Sequence, residues 1–234
     1  DRAVVPRRMT GWSDALVERL AEAFPLAADP ARAEQQSAYL RDQFVFFGIG
    51  APQHKAILSA ALRGLVRPTL ADVEAFARTG YAHDEREWHY AAVKTARRHA
   101  KLLEATSVPL VHHLVVTHSW WDTVDEIASH LAGTLVERHP ATAEVMDEWV
   151  MSDHMWLART AILHQLRFKE RTDTDRLFGY CLARADESDF FYRKAIGWAL
   201  RQYARTDPAA VREFCEANEH RLSTLSLTEA QKNL

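Results

Sequence analysis

The stretch Trp120-Trp-Asp-Thr-Val-Asp-Glu-Ile-Ala128 decides the fold, because three further segments of the chain look like it. They are Trp88-His-Tyr-Ala-Ala-Val-Lys-Thr-Ala96, Trp156-Leu-Ala-Arg-Thr-Ala-Ile-Leu163 and Phe191-Tyr-Arg-Lys-Ala-Ile-Gly-Trp-Ala199. Successive segments start roughly 32 to 36 residues apart, and a second, shorter helical pattern follows each. Helix pairs at this period predict an all-α fold, an α-solenoid of HEAT-like antiparallel pairs with a concave face. A four-helix bundle fits a dozen short helices poorly.

Helical periodicity extends over most of the chain. Helices are predicted at residues 12–24, 30–45, 52–64, 69–78, 84–104, 108–116, 120–137, 141–150, 154–169, 173–184, 189–205 and 207–218. Predicted N-terminal signals of these helices are Thr10 or Ser13, Asp29, Thr69, Asp84, Thr172 and Asp207-Pro208. Because the connections are short, we expect one HEAT-like repeat domain over residues 1–234, in which residues 1–30 could form a peripheral N-terminal helix.

The composition is that of a water-soluble helical protein. Of 234 residues only 8 are Gly and 8 are Pro, which disfavours an all-β fold. Cys181 and Cys215 are too few for a disulfide framework, and their apolar neighbours predict buried free thiols. No apolar run is long enough to span a membrane, and residues 1–8 lack the apolar core of a signal peptide. We therefore expect a cytoplasmic protein.

Positive charge recurs on successive repeats although the net charge is −3. That balance argues against a nucleic-acid-binding protein, unless the cations are gathered locally. Three groups of cations recur along the chain: Lys94, Arg97, Arg98 and Lys101; Arg159, Arg167, Lys169 and Arg171; and Lys194, Arg201 and Arg205 around Trp198. Each group alone is typical of a solvated helix face. Three groups in consecutive repeats favour a groove that binds a polyanion.

The segment from Thr117 to Ala128 carries the clearest candidate for catalysis. If it is helical from Trp120, Trp121 and Asp125 lie four residues apart on one face, and Asp122 and Glu126 form a second pair. A structural interpretation is also open, in which Asp122 complements the helix N-terminus and the tryptophans fill the core. Taken alone, the segment favours that structural interpretation.

Other site chemistries find little support in the sequence. It contains no His-Glu-x-x-His motif, no Gly-rich phosphate loop and no Gly-x-Ser-x-Gly turn. His83, Glu85 and His89, like the pair His112-His113, are close in sequence, but chance adjacency is expected among 12 histidines. We therefore expect neither a metal ion nor a cofactor.

Three segments resemble the hallmark motifs of the AlkD-like DNA alkylation-repair glycosylases. They are Ser119-Trp-Trp-Asp-Thr-Val-Asp125, Trp156-Leu-Ala-Arg-Thr-Ala-Ile-Leu163 and Lys194-Ala-Ile-Gly-Trp-Ala-Leu-Arg201. Residues 38–52 are similar to the N-terminal motif of the family, and residues 222–232 are similar to its C-terminal tail. The order and spacing of these segments match over residues 38–232.

The resemblance implies a monofunctional glycosylase that hydrolyses the N-glycosidic bond of cationic alkylpurines in duplex DNA, without base flipping. N3-alkyladenine, N7-alkylguanine and bulky adducts are the lesions that it implies. By the same resemblance Asp125 is the catalytic carboxylate, Trp121 and Trp198 flank the deoxyribose, and Arg159 contacts phosphate. Together with the charge pattern, it gives a predicted DNA-contact set of Arg159, Tyr39, Lys55, Lys94, Arg97, Arg98, Arg167, Lys169, Lys194 and Arg201.

The chemistry agrees with a single carboxylate. A cationic alkylpurine is already a good leaving group, so that no general acid is needed. What remains is to stabilise an oxocarbenium-like sugar and to position a water molecule, and Asp125 can do both. Aromatic faces attract the same positive charge.

One position departs from the family pattern. Relatives often have Pro-x-Arg-Arg after the Gly-Ile loop, whereas this chain has Pro52-Gln-His-Lys55. Lys55 would keep a phosphate contact only as a point charge.

Two other hypotheses stay open. The first is a catalytically silent HEAT-like scaffold that binds DNA structures, and the second is a solenoid adaptor outside nucleic acids. As a glycosylase the protein is expected to be a monomer whose partner is double-stranded DNA containing alkylated purines, and to be associated with the nucleoid when it binds DNA.

Overall fold

The structure, a computed structural model, describes residues 11–233, and the chain divides at Leu102 into two compact units. The described part of the first unit holds α1 (Trp12–Leu26), α2 (Pro30–Tyr39), α3 (Ala51–Leu62), α4 (Leu70–Tyr81) and α5 (Arg86–Arg98). The second unit begins with α6 (Val108–Val116), α7 (Trp121–Glu126), a π-helical segment (Ile127–Ala132) and α8 (Gly133–Arg138). It continues with α9 (Ala143–Val150), α10 (Met155–Leu163), α11 (Thr174–Ala183), α12 (Phe190–Tyr203), α13 (Pro208–Ala217) and α14 (Thr224–Ala230).

The prediction of an all-α fold of the helical-repeat, α-solenoid type is confirmed. Within residues 11–233 the β pairing is limited to an isolated bridge between Val45 and Glu85. Among these residues no helix combines the length and the apolar character that a membrane crossing requires. That the two units make a single domain stays a prediction.

The core of the first unit is built on α1. Trp12, Leu16, Leu20 and Phe24 recur every four residues, so that they share one face, and all four are buried against α3 and α4. Burying each of these large apolar side chains stabilises the fold by about 2 kcal/mol before the loss of chain entropy is counted.

The second unit is built around α10. Every residue from Trp156 to Leu163 is buried, and the helix packs against α6, α7, α9, α11, α12 and the π-helical segment. A helix that is buried on all sides is apolar all round, and Met-Trp-Leu-Ala-Arg-Thr-Ala-Ile-Leu fits this description except at Arg159 and at Thr160, whose hydroxyl donates to the Trp156 carbonyl oxygen. A buried cation needs a partner close by.

Several predicted helix ends were wrong, and the backbone shows why. The helix predicted over 30–45 ends at Tyr39, because Arg41 and Asp42 adopt positive φ angles of 59° and 56°. The helix predicted over 154–169 ends at Leu163, and Lys169 has a φ of 54°. The one over 84–104 ends at Arg98, after which a 3₁₀ turn follows. The C-terminal helix α14 was not predicted.

The predicted N-terminal signals were partly correct. Asp29, Thr69 and Asp207 each accept a backbone N–H of the first turn, as an N-cap should. Three were wrong: Ser13 lies inside α1, and at Asp84 and Thr172 the cap is the next residue, Glu85 and Asp173 respectively. The alternative signal Thr10 lies outside the described residues.

The loop between α2 and α3 is held by a buried carboxylate. Glu87 of α5 is fully buried, and its two oxygens accept the backbone N–H groups of Phe47, Gly48 and Ile49 at 2.9–3.0 Å. Gly48 has a φ of 90°, and a Cβ there would lie 2.0 Å from the Asp29 carbonyl oxygen. Glycine is therefore required at this position.

Candidate functional site

Asp125 lies in the second turn of α7, two residues before the π-helical segment. Trp120 is the N-cap of α7, with an extended backbone, so the helix starts one residue later than predicted. The Ser129 hydroxyl donates a hydrogen bond to the Asp125 carbonyl oxygen at 2.9 Å. π-helical turns are rare overall, but those that occur are often found at functional sites.

The Asp125 carboxylate is bound by the buried guanidinium of Arg159 on α10. Nε of Arg159 donates to Oδ1 at 2.7 Å, and Nη2 donates to Oδ2 at 2.9 Å. The Arg159 side chain is 4% exposed and that of Asp125 is 16% exposed. This two-point geometry fixes the carboxylate plane, and only a small part of Asp125 remains exposed.

Arg159 also joins this ion pair to α12. Its Nη1 donates to the backbone carbonyl oxygen of Phe191 at 2.6 Å, and its guanidinium carbon lies 5.8 Å from the centre of the Phe191 ring. One side chain on α10 therefore connects α7 with α12, and each of these helices comes from a different predicted repeat.

Burial and pairing with Arg159 shift the pKa of Asp125 in opposite directions. Burial raises the pKa of the Asp125 carboxyl above its ordinary value, and the Arg159 guanidinium opposes this shift. Without Arg159 the buried carboxyl would hold its proton to a higher pH. Arg159 thus orients the carboxylate and opposes the rise in its pKa.

An aromatic cluster supports the ion pair from one side. The rings of Trp120, Trp156 and Phe191 pack together, with centroids 4.9–5.7 Å apart. Trp120 Nε1 is buried and finds no hydrogen-bond partner among the described residues. Of the two tryptophans that the structural interpretation places in the core, Trp120 packs in this cluster but is only half-buried.

The two tryptophans predicted to flank the sugar are half-buried. Trp121 lies in the first turn of α7, four residues before Asp125, so the two share a helix face. Trp198 lies on α12 two turns after Phe191, and its seven-residue spacing places both on one face of that helix. Their contact with a sugar stays a prediction.

The role predicted for Arg159 differs from the contacts it makes. Three of its nitrogens already donate to Asp125 and Phe191. A phosphate contact would use the remaining N–H groups or would break one of these bonds, and it stays a prediction.

Predicted DNA contacts of the first unit lie mostly at its surface. Tyr39 is 72% exposed at the end of α2, and Lys55 on α3 is exposed. Arg97 and Arg98 are exposed in the last turn of α5. Lys94 is half-buried instead, and its ammonium group lies 3.2 Å from His54 Nδ1 and 5.6 Å from the centre of the Tyr90 ring. Lys101 follows the end of α5, so it does not continue the predicted helical stripe.

His54 occupies the position at which the chain departs from the family pattern. It is 1% exposed, stacks on Phe24, and its Nε2 lies 2.9 Å from the carbonyl oxygen of Glu87. Burial and the nearby Lys94 lower the pKa of His54 to about 4. His54 is therefore a neutral core residue, and Lys55 faces solvent beside it.

The predicted contacts of the second unit fall into two groups. Arg167 and Lys169 are exposed after the end of α10, and Arg167 Nη1 donates to His130 Nδ1. Lys194 and Arg201 on α12 bind the buried carboxylate of Glu229 instead of standing apart in solvent. Glu229 was missed at the sequence level because α14 was missed, although Ser223 and Ser226 could have indicated its N-terminus.

A second two-point ion pair offers a comparison with Asp125–Arg159. Arg176 on α11 donates through Nε and Nη2 to the two oxygens of Asp147 on α9, at 3.0 Å each, and the Tyr180 hydroxyl donates to Oδ1 at 2.6 Å. Both side chains are far more exposed than the first pair. None of the catalytic or DNA-contact predictions falls on this second pair.

The remaining candidates for site chemistry are metal ligands and thiols. Within residues 11–233 no three His, Cys, Asp or Glu side chains are arranged to hold a metal ion. Cys181 and Cys215 are free and buried, as predicted, and burial raises the pKa of both thiols.

Comparisons with known proteins place the chain in a family. A sequence model described as DNA alkylation repair enzyme matches residues 20–234. A solved structure described as a predicted DNA alkylation repair enzyme from Enterococcus faecalis superposes with a TM-score of 0.81 at 31% identity, covering 88% of this chain and 96% of that one. Curated proteins give no match. The chain therefore belongs to the DNA alkylation repair enzyme family, and its role is in the repair of alkylated DNA.

Proposed function

We propose that the protein is a monofunctional DNA glycosylase that releases cationic alkylpurines from duplex DNA. The observation that carries the proposal is the Asp125 carboxylate, which is bound at both oxygens by buried Arg159 and still partly open to solvent. A carboxylate fixed in this way is suited to stabilising positive charge that develops on a nearby sugar.

The proposed reaction needs no general acid and no cofactor. The bond between C1′ and the alkylated nitrogen breaks, and its electron pair neutralises the positive charge of the departing base. The oxocarbenium-like sugar is stabilised by Asp125 and by the faces of Trp121 and Trp198. Water adds to C1′, and its proton passes to Asp125 or to solvent.

Arg159 acts in this proposal as a positioning residue. It lies behind Asp125 and is held by the Phe191 carbonyl oxygen, so it fixes the carboxylate without itself facing the sugar. In this proposal DNA approaches Asp125 from the side opposite Arg159, and N3-alkyladenine, N7-alkylguanine and bulky adducts are acted on without base flipping. We further propose that the protein acts as a monomer, on DNA in the cytoplasm.

The test is base release from duplexes that carry a single defined 3-alkyladenine or 7-alkylguanine. Release by the wild type is measured above the spontaneous depurination of the same duplex. Asp125→Asn is expected to lower the single-turnover rate by about 100- to 1,000-fold, the usual effect of losing one preorganised electrostatic group.

Asp147→Asn is the matched control, because it breaks the second two-point ion pair of the same unit. It is expected to keep the wild-type rate. Circular dichroism checks folding, since Asp125→Asn leaves the buried guanidinium of Arg159 without its anion. A wild type that releases no base, or an Asp125→Asn variant as active as the wild type, would sink the proposal. Tight binding to branched or single-stranded undamaged DNA without release would favour the scaffold hypothesis.

A further inference from the structure

The C-terminal helix α14 places one buried carboxylate among three cations. Glu229 is 4% exposed, and its Oε1 accepts the Lys194 ammonium at 2.6 Å and the Lys232 ammonium at 2.5 Å. Its Oε2 accepts Nη1 of Arg201 at 2.9 Å. Two ammonium groups therefore bind the same oxygen atom, so that their positive charges lie close together.

Two of the three cations flank Trp198 on α12. Lys194 lies four residues before Trp198 on α12 and Arg201 three residues after it, so all three share one side of the helix. Lys232 comes from the turn that follows α14. The cluster of Glu229, Lys194, Arg201 and Lys232 is called the Glu229 cluster below.

The Glu229 cluster carries an excess of positive charge. Hydrogen bonds from Lys194 and Lys232 lower the pKa of Glu229 to about 2, so it is an anion at neutral pH. Three cations and one anion leave two positive charges. The side chains of Lys194, Arg201 and Lys232 are 37%, 30% and 49% exposed, so their charge faces solvent although the anion does not.

Close packing fixes the anion in place. A Cβ on Gly197 would lie 2.5 Å from Glu229 Cβ and 2.9 Å from the Ser226 carbonyl oxygen, so α14 contacts the backbone of α12 directly. The Ser226 hydroxyl also donates to the Arg193 carbonyl oxygen at 2.9 Å. Glu229 therefore has little freedom to follow the cations, and the cations are oriented by it.

A carboxylate that only pinned α14 would need one cation. Each further cation at the same carboxylate is repelled by the first, and partial exposure makes each single ion pair weak. An array of three cations on a fixed anion instead matches the phosphate oxygens of a nucleic-acid strand, which accept several N–H donors at once.

We infer that the Glu229 cluster binds a backbone phosphate of duplex DNA beside Trp198, with Lys232 as a phosphate contact and Glu229 as the positioning residue. The inference rests on the proposed function, since it assumes that DNA lies along α12. Binding energy at this phosphate would hold the strand against Trp198 without reading its sequence.

Charge and positioning make opposite predictions for Glu229→Gln. The substitution raises the net charge of the cluster by one, which on charge alone strengthens binding to a polyanion. Loss of the anion that orients three cations weakens binding instead. We expect weaker binding, together with a shallower dependence of log Kd on log salt concentration.

The experiment measures binding of the full chain to an undamaged duplex by fluorescence anisotropy over a series of KCl concentrations. Lys232→Met is expected to weaken binding and to lower the salt slope by about 1, the contribution of one phosphate contact. Arg78→Met is the control, because it removes one exposed cation from α4. Its slope is expected to equal that of the wild type.

Lys232→Met decides the inference if Glu229→Gln does not fold, because Lys232 is half exposed and its loss leaves Glu229 two partners. An unchanged slope for Lys232→Met, stronger binding by folded Glu229→Gln, or no binding by the wild type would each overturn the inference. Base release is scored separately on the alkylated duplexes. A wild type that releases no base while Lys232→Met lowers the slope would contradict the glycosylase and leave the phosphate site standing.

Discussion

Arg159 and Asp125 form a two-point ion pair across 34 residues of sequence, and both belong to the second unit. The carboxylate belongs to α7 and the guanidinium to α10. A third bond, from Arg159 to the Phe191 carbonyl oxygen, extends the connection to α12. The geometry of the candidate site therefore depends on how three helices pack, and substitutions in the packing should change catalysis in measurable ways.

Arg159→Lys is expected to slow base release by about 100-fold, since lysine cannot form the two-point contact and small misplacements are costly. Burial would then raise the pKa of Asp125 with less opposition. A smaller fraction of Asp125 is ionised at a given pH, so the acidic limb of the rate profile moves to higher pH. Single-turnover rates across the acidic and neutral range measure this shift.

Arg176→Lys is the control for that prediction, because it weakens the second two-point pair in the same unit. Its acidic limb is expected to coincide with that of the wild type. Equal shifts in both variants would mean that general destabilisation, and not the position of Asp125, sets the rate.

Gly197→Ala is expected to destabilise the protein by about 1–3 kcal/mol, because the added Cβ would overlap α14. Gly179→Ala on α11 is the matched control, since a Cβ there meets nothing within 4 Å. Alanine in a helix is favoured over glycine, and this variant should gain about 0.5–1 kcal/mol. Denaturant unfolding measures both, and equal changes of one sign would contradict the close approach of α14.

Two buried histidines predict that stability falls in mild acid. Burial lowers the pKa of both His54 and His164 to about 4, from 6.5. Between these values the unfolded chain binds protons that the folded chain does not, so the free energy of unfolding decreases as pH falls. Each histidine contributes up to about 1.4 kcal/mol for each pH unit over that window.

The measurement is the free energy of unfolding from pH 6.5 down to pH 4, set against His54→Gln and His164→Gln. Each variant removes one titrating group, so each should show a smaller slope against pH whatever its stability at neutral pH. Parallel slopes in all three proteins would rule out the histidines as the cause.

Glu87→Gln is expected to loosen the loop between α2 and α3. Glutamine supplies one acceptor oxygen where the carboxylate serves three N–H groups, and the loss should cost about 1–3 kcal/mol. Hydrogen exchange at residues 47–49 should quicken. Glu22→Gln, at an exposed position of α1, serves as the control and should leave that exchange unchanged.

Much of the fold could be predicted from the sequence, because it depends on periodicity and caps. The repeated segments predicted α5, α7, α10 and α12, and Asp29, Thr69 and Asp207 are the caps that their side chains favour. The early end of α2 could not be predicted, since the Asp42 N–H closes a local turn on the Ser37 carbonyl oxygen without the glycine that usually marks such a helix end. The seven-residue helix α14 was too short for its periodicity to stand out.

The candidate site, like the fold, could be predicted only in part. The repeat spacing predicted that Asp125, Arg159 and Trp198 come from neighbouring helices, and family resemblance named them. That Arg159 is buried, with its nitrogens donating to Asp125 and Phe191, depends on side-chain rotamers that spacing does not determine. The contacts of Glu229 could not be predicted either, because its three partners come together only when α14 packs on α12.

The π-helical segment Ile127–Ala132 amounts to one residue more than an α-helix of the same length would hold. In an α-helix each residue turns the chain by about 100°, so deleting a single residue there would rotate Asp125 by that angle relative to everything from Gly133 onward. The helix would become more regular, and the carboxylate would swing away from Arg159. A relative that lacks one residue in this segment would therefore hold the acid at a different angle from the one that Asp125 has here.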